Sequence, residues 1–248
     1  GIRLGRGRLA ALRRLLRVPG AVGRPLPPPP EEARLRGRRH SKRRDASAVT
    51  HHYDVSNEFY RLVLGPSMTY SCAVWSDPDV GLEAAQEAKH ELVCRKLGLR
   101  AGMRLLDVGC GWGGLVLHAA RHHGVSATGI TLSPEQAELA RERVREAGLA
   151  DRVSIRLEDY RDVGDGPYDA VASVGMVEHV GEANLPTYFS ALHSVLAPGG
   201  RLHNHGIATP AGRTAMKDPR GFIQRYVFPD GELPEIGTVV RAAQHAGL

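Results

Sequence analysis

Asp107 closes an apolar run, Leu105-Leu106, and is followed by Gly109, Cys110, Gly111, Trp112, Gly113 and Gly114. Glycines allow tight or positive-φ backbone and close approach to a ligand. The helix start expected behind them, Leu115-Val116-Leu117, offers free N–H groups. An acid followed by such a turn suits a nucleotide-like ligand. A dinucleotide-binding turn would read G-x-G-x-x-G, with an acid about 20 residues later. Here the glycines are Gly109, Gly111, Gly113 and Gly114, directly after Asp107, and the chain lacks G-x-x-x-x-G-K-[ST], which argues against a nucleoside triphosphate loop. A glycine turn kept for packing alone is the plain alternative. Three other reactive side chains stand out: Cys72 in Thr69-Tyr70-Ser71-Cys72, Glu178 in Met176-Val177-Glu178-His179, and His205 two residues after His203. Each has an ordinary reading too. Free cysteines are often small buried hydrophobes, Glu178 could cap the next element, and His203 and His205 would share one face of a strand.

The elements that must carry these residues follow in a regular order. Residues 104–108 read as a buried strand and 126–133 as a second with a β-branched core. Ser133 and Pro134 are an N-cap and first-turn pair for a helix that runs toward Gly148. Residues 152–160 form a third strand ending in acids, and 168–180 a fourth followed by a loop. Residues 188–207 read as helix, Pro-Gly-Gly turn and fifth strand, and 238–248 as a closing helix. Strands alternating with helices imply an α/β fold with a doubly wound, mostly parallel sheet. Ligands of such sheets bind beyond the carboxyl ends of the strands. Asp107, Thr131, Glu158, Asp159 and Glu178 all fall on that rim.

The motif D-x-G-x-G-x-G resembles the first motif of class I S-adenosylmethionine-dependent methyltransferases. Five longer stretches resemble the cyclopropane-fatty-acyl-phospholipid synthase family, which includes the mycolic acid cyclopropane synthases. They are 51–75 (HHYDVSNEFYRLVLGPSMTYSCAVW), 105–114 (LLDVGCGWGG), 129–136 (GITLSPEQ), 158–162 (EDYRD) and 174–181 (VGMVEHVG), in order, and the resemblance spans roughly residues 50 to 248. It implies methyl transfer from S-adenosylmethionine to a cis double bond of an unsaturated phospholipid acyl chain. A cation forms, and loss of a proton from the new methyl group closes a cyclopropane; related enzymes give methyl-branched, methylene or hydroxylated products. The resemblance implies a bicarbonate ion as base, held by Cys72, Glu178 and His205, and by a Tyr whose counterpart is expected past Leu248. It maps the methionine part of the cofactor onto Tyr70, Ser71, Gly109 and Gly111, with Asp107 and Gly113 in the same turn. The ribose maps near Thr131, Leu132 and Gln136, and the adenine near Glu158, Asp159 and Tyr160, an acid accepting from the adenine amino group. Trp112 closes over the cofactor or simply packs. A small-molecule N- or C-methyltransferase of the same superfamily, or an inactive truncated relative, stays open, because the fold's final antiparallel strands are expected beyond residue 248.

Composition adds a charge asymmetry. Residues 1–48 hold 14 Lys and Arg against 3 acids, a net of +11, whereas the remainder nets −5. This sets off 1–48 as a basic extension and 49–248 as the methyltransferase domain. Residues 7–18 could form a basic amphipathic helix, 25–33 a Pro-rich spacer, and 34–44 a polybasic patch suited to an anionic membrane surface. A solvated tail is the alternative. With 5% aromatic residues and no stacking motif, nucleic acid is not the expected partner. Three cysteines without a C-x-x-C pair argue against a disulfide framework or zinc ribbon. No run of 18 uncharged apolar residues occurs. The expectation is a cytoplasmic protein, at most peripheral to the inner face of a membrane.

Overall fold

The computed structural model describes residues 29, 32, 33, 35–53, 56–212 and 221–248. The chain divides into two compact units, Gly1–Glu32 and Ala33–Leu248. The amphipathic stretch 7–18 and most of the Pro-rich spacer lie outside the described residues. The second unit begins at Ala33, and helix α1 (Lys42–Tyr53) crosses position 48, where the change of composition suggested a border. The reason is electrostatic. Arg44 pairs with Asp230 (2.5 Å), Arg39 with Glu232 (3.1 Å), and Lys42 with Asp162, so this stretch of the basic run is tied to acids of the domain.

Two more helices, α2 (Asn57–Leu64) and α3 (Leu82–Leu97), precede the sheet. The sheet comprises β1 (Arg104–Val108), β2 (Ser126–Thr131), β3 (Val153–Leu157), β4 (Tyr168–Val174) and β5 (Leu196–His205). Their order is β3-β2-β1-β4-β5, and every pairing is parallel. Helix α4 (Gly114–His123) links β1 to β2, and α5 (Pro134–Glu146) links β2 to β3. The short α6 (Val177–Val180) and α7 (Leu185–Ser194) link β4 to β5, and α8 (Ile236–His245) follows. After β3 the chain crosses to the far side of β1. The switch point therefore lies between β1 and β4, where open parallel sheets bind ligands.

Strand alternation builds two cores. Leu105 of β1 joins Val116, Ala120 and Ala140 on one face, whereas Leu106 and Val108 join Val171, Tyr188 and Phe189 on the other. Successive side chains of a strand point to opposite faces, so a strand buried on both sides reads as a continuous apolar run. Ser133 caps α5 by accepting from the Gln136 amide at 3.1 Å, and Pro134 occupies the first turn, as the local sequence indicates. The Pro198-Gly199-Gly200 turn differs from expectation. It lies within β5 as an irregularity, because the register against β4 jumps from Tyr168↔Leu196 to Ala170↔Arg201. Among the described residues no helix is long and apolar enough to cross a membrane.

Candidate active site at the carboxyl rim of the sheet

The ends of β1, β2 and β4 open into a cavity of about 140 Å³. Its floor is Asp107 to Trp112, Ile130 to Leu132, and Val174 to Met176; Gln136, Glu158 and Tyr160 stand to one side. Tyr53 of α1, Tyr70 and Ser71, and Lys89 and His90 of α3 complete it. The glycines do different work. Gly109 (φ +79°) lies under Met176, whose Sδ would sit 2.5 Å from an added Cβ. Gly111 (φ +55°) faces open space, with nothing within 4 Å of an added Cβ. Gly113 (φ +80°) does not line the cavity; its neighbour is Ala140, 3.4 Å from an added Cβ. Gly113 thus lets α4 pack against α5 and stands outside the cavity lining.

Other expected contacts sort in the same way. Thr131, Leu132 and Gln136 line the cavity, and the Thr131 hydroxyl donates to Gln136 Oε1 at 2.7 Å. Glu158 lines it, but Asp159 does not. Both oxygens of Asp159 accept from the Arg161 guanidinium, at 2.7 and 2.6 Å. Asp159, outside the lining, is thus engaged by Arg161, whereas Glu158 and Tyr160 line the cavity. Trp112 is buried with its indole N–H donating to Asn57 Oδ1 at 2.7 Å, and its ring packs on Tyr60 with centroids 4.9 Å apart. It both packs and lines the cavity.

Cys72, Glu178 and His205 gather beside this cavity without lining it. Cys72 Sγ lies 3.5 Å from His205 Nε2. The Ile207 amide donates to Glu178 Oε1 at 2.7 Å, so the loop after β5 brings the carboxyl of α6 to the histidine. Burial raises the proton affinity of Glu178. Glu178 Oε2 and His205 Nδ1 are buried without a hydrogen-bond partner among the described residues. Unsatisfied buried polar atoms are costly and rare, and one on Glu178 and one on His205 leave hydrogen-bonding capacity for a small polar ligand. His203 is on the same strand, but the contact to Cys72 belongs to His205.

Sequence reading missed the polar stripe of α3. Gln86 donates to the Ser71 carbonyl at 2.8 Å and Lys89 to the Ser71 hydroxyl at 3.0 Å, fixing the Tyr70–Cys72 segment. The signal was present: Gln86, Lys89 and His90 recur at i, i+3 and i+4 on the buried face of an amphipathic helix. Burial lowers the Lys89 pKa to about 8 and raises that of Asp107 to about 7, each partly offset by the other's charge. Burial also lowers His90 to about 2 and His179 to about 3, so both rings on the cavity wall are neutral. The apolar segment after residue 221 contributes Pro229 and Asp230 to the cavity, but not Phe222, Ile223, Tyr226, Val227 or Phe228.

Residues 40–248 match the family model described as mycolic acid cyclopropane synthetase. A probable fatty acid methyltransferase of Mycobacterium tuberculosis is 52% identical over 230 residues, covering 90% of this chain and 53% of that protein. The cyclopropane-fatty-acyl-phospholipid synthase of Escherichia coli K12 is 43% identical over 205 residues, covering 82% of this chain and 51% of that protein. The chain thus spans about half the length of these curated relatives. A crystal structure of the mycolic acid cyclopropane synthase CmaA1, complexed with SAH and CTAB, superposes with a TM-score of 0.74 at 35% identity, covering 82% of this chain and 74% of that one.

Proposed function

The chain belongs to the mycolic acid cyclopropane synthetase family, and on that premise we propose that it alkylates a cis double bond in the acyl chain of an unsaturated phospholipid, with S-adenosylmethionine as donor. The product is a cyclopropane or a methyl-branched chain. When bound, the donor supplies a methyl group on a positively charged sulfonium centre. Gly109 and Gly111 would take its methionine part and Thr131, Leu132 and Gln136 its ribose. Glu158 and Tyr160 would take the adenine. Two features of the wall support this fit. Gly111 lines the cavity with open space where a Cβ would stand, and the cavity carries Asp45, Asp107, Glu158 and Asp230 against Lys89 and Arg161, with His90 and His179 neutral, a balance that suits a cation.

The observation that carries the reading is the cluster of Cys72, Glu178 and His205, in which Glu178 Oε2 and His205 Nδ1 are buried without a hydrogen-bond partner among the described residues. Bicarbonate has the size and the donor and acceptor groups to satisfy both. Glu178 and His205 would hold it, with Cys72 at its edge, where it could take up the proton released from the new methyl group. The rings of Tyr53, Tyr60, Tyr70 and Trp112 contact one another with centroids 4.9–6.3 Å apart. Such an aromatic shell would keep water from a cation that it would otherwise quench. Exposed Phe59, Leu62 and Val63 share one face of α2, and with Phe222 and Ile223 they offer apolar surface to a lipid layer. Association with an anionic membrane surface belongs to the same reading.

The test is incubation of the chain with methyl-labelled donor and vesicles of unsaturated phosphatidylglycerol, read by lipid mass spectrometry. A gain of one CH2 per modified acyl chain is expected for the cyclopropane; a saturated methyl branch would gain CH4 and would need a hydride donor added to the assay. Unchanged lipids, with donor binding intact and label transferred to an added amine, would overturn the lipid assignment.

A further inference from the structure

Helices α3 and α4 carry a second group of chemically capable side chains that the alkylation chemistry does not use. Along α3, Glu87, Glu91 and Cys94 lie at i, i+4 and i+7; along α4, His118, His122 and His123 lie at i, i+4 and i+5. Packing of the two helices brings these rows together. Cys94, His118 and His123 each offer a ligand atom within 4.8 Å of the other two. Glu91 Oε2 lies 2.9 Å from His123 Nε2 and 3.3 Å from His118 Nε2. Cys94 is fully buried and its thiol is free, and the His118 side chain is 9% exposed.

We propose that Cys94, His118 and His123 form a binding site for a divalent transition metal of the zinc type, with Glu91 completing or orienting the set. A thiolate with two imidazoles is a donor set that zinc and cobalt accept and that magnesium or calcium do not. A tetrahedral centre with bonds of about 2.0–2.3 Å has edges of roughly 3.3–3.8 Å, so the three donors need to close by about 1 Å. Glu91 Oε2 lies against Nε2 of both rings, so it ligates beside them if Nε2 binds the ion and holds the rings in place if Nδ1 does. None of the four residues lines the cofactor cavity.

The site has a structural consequence. Lys89 and His90 of α3, and Gly114 and Leu115 at the start of α4, form part of the cavity wall. An ion held by both helices would clamp that wall from behind. The proposed role is therefore structural, acting through the positions of α3 and α4.

The experiment uses tag-free chain stripped with chelator and titrated with Co2+ and Zn2+. One equivalent should bind, with tetrahedral d–d bands and a thiolate-to-cobalt charge-transfer band in the Co2+ form, and zinc should raise the melting temperature. Cys94→Ala should abolish the charge-transfer band, and His123→Gln should weaken zinc at least tenfold. His245→Gln on α8 should change nothing. Circular dichroism confirms that each variant folds, and His123, being only partly buried, is the variant least exposed to folding loss. Absence of stoichiometric binding, or equal affinity in Cys94→Ala and His123→Gln, overturns the proposal. So does loss of binding in His122→Gln with retention in Cys94→Ala, which would move the ion to the outer group of Glu87, His118 and His122.

Discussion

Replacement of Gly111 by alanine separates the cost of folding from the cost of binding. The residue sits at φ +55°, so a side chain there carries the left-handed penalty of about 1–2 kcal/mol. Nothing lies within 4 Å of the added Cβ, so no packing clash adds to it. The melting temperature should fall by about 2–4 °C for each kcal/mol lost in a domain of this size. Binding is affected differently, because the new methyl group occupies space assigned to the donor. Overpacking by one methyl costs about 1–3 kcal/mol, which is roughly a 5- to 150-fold rise in Kd. Isothermal titration with S-adenosylhomocysteine reads this directly, beside a thermal melt of the same sample. Gly111→Val, larger and β-branched, should abolish binding. Gly113→Ala is the control. Its Cβ meets Ala140 at 3.4 Å outside the cavity, so it should lower stability while leaving Kd unchanged. Wild-type affinity in Gly111→Ala, or a selective loss in Gly113→Ala, would refute the assignment of the turn.

Three further outcomes are expected. Glu178→Gln and Cys72→Ala should lower turnover about 10²- to 10⁴-fold with donor affinity unaltered, since neither residue lines the cavity; a parallel loss of donor binding in calorimetry would contradict that separation. Lys89→Met keeps the volume but removes the donor to Ser71, a charged hydrogen bond worth about 1.5–3 kcal/mol. S-adenosylhomocysteine should bind roughly tenfold or more weakly, and an unchanged Kd would show that α3 does not order the Tyr70–Cys72 segment. Stability should rise with pH between about pH 4 and the unfolded histidine value near 6.5. Over that window His90 and His179 take up two protons on unfolding, while Asp107, at about 7 when folded, releases one. The net uptake by these three groups is one proton, a slope of roughly 1.4 kcal/mol per pH unit, and His203, lowered by burial to about 4, adds to the rise; urea melts measure it. A flat or inverted profile would show that these groups are not buried as described.

The strands, the Ser133 cap and the Asp107 turn were legible because their signals are local: an apolar run, a cap with Pro behind it, and glycines after an acid. What escaped depended on partners distant in space or on competition at short range. Asp159 resembles an adenine acceptor in sequence, yet Arg161, two residues on, takes both its oxygens. Gly113 belongs to the same motif as Gly111, yet it faces Ala140 because α5 crosses there. Within the basic run at 34–44, Arg39 and Arg44 resemble free cations until Asp230 and Glu232, about 190 residues later, return to meet them. The Gln86, Lys89 and His90 stripe was visible as spacing. Its role became readable only when α3 was seen to press on Ser71.

Cys72, Glu178 and His205 stand next to the donor cavity but outside its walls. A catalyst partitioned in this manner has two compartments that selection can tune independently. In the proposed reaction, altering the His205–Ile207 bend would change which proton the cation loses, towards ring or exocyclic alkene, while the grip on the donor stayed as it was. Diversity of lipid products across such proteins would then require only a few changes in one bend, on a scaffold otherwise left alone.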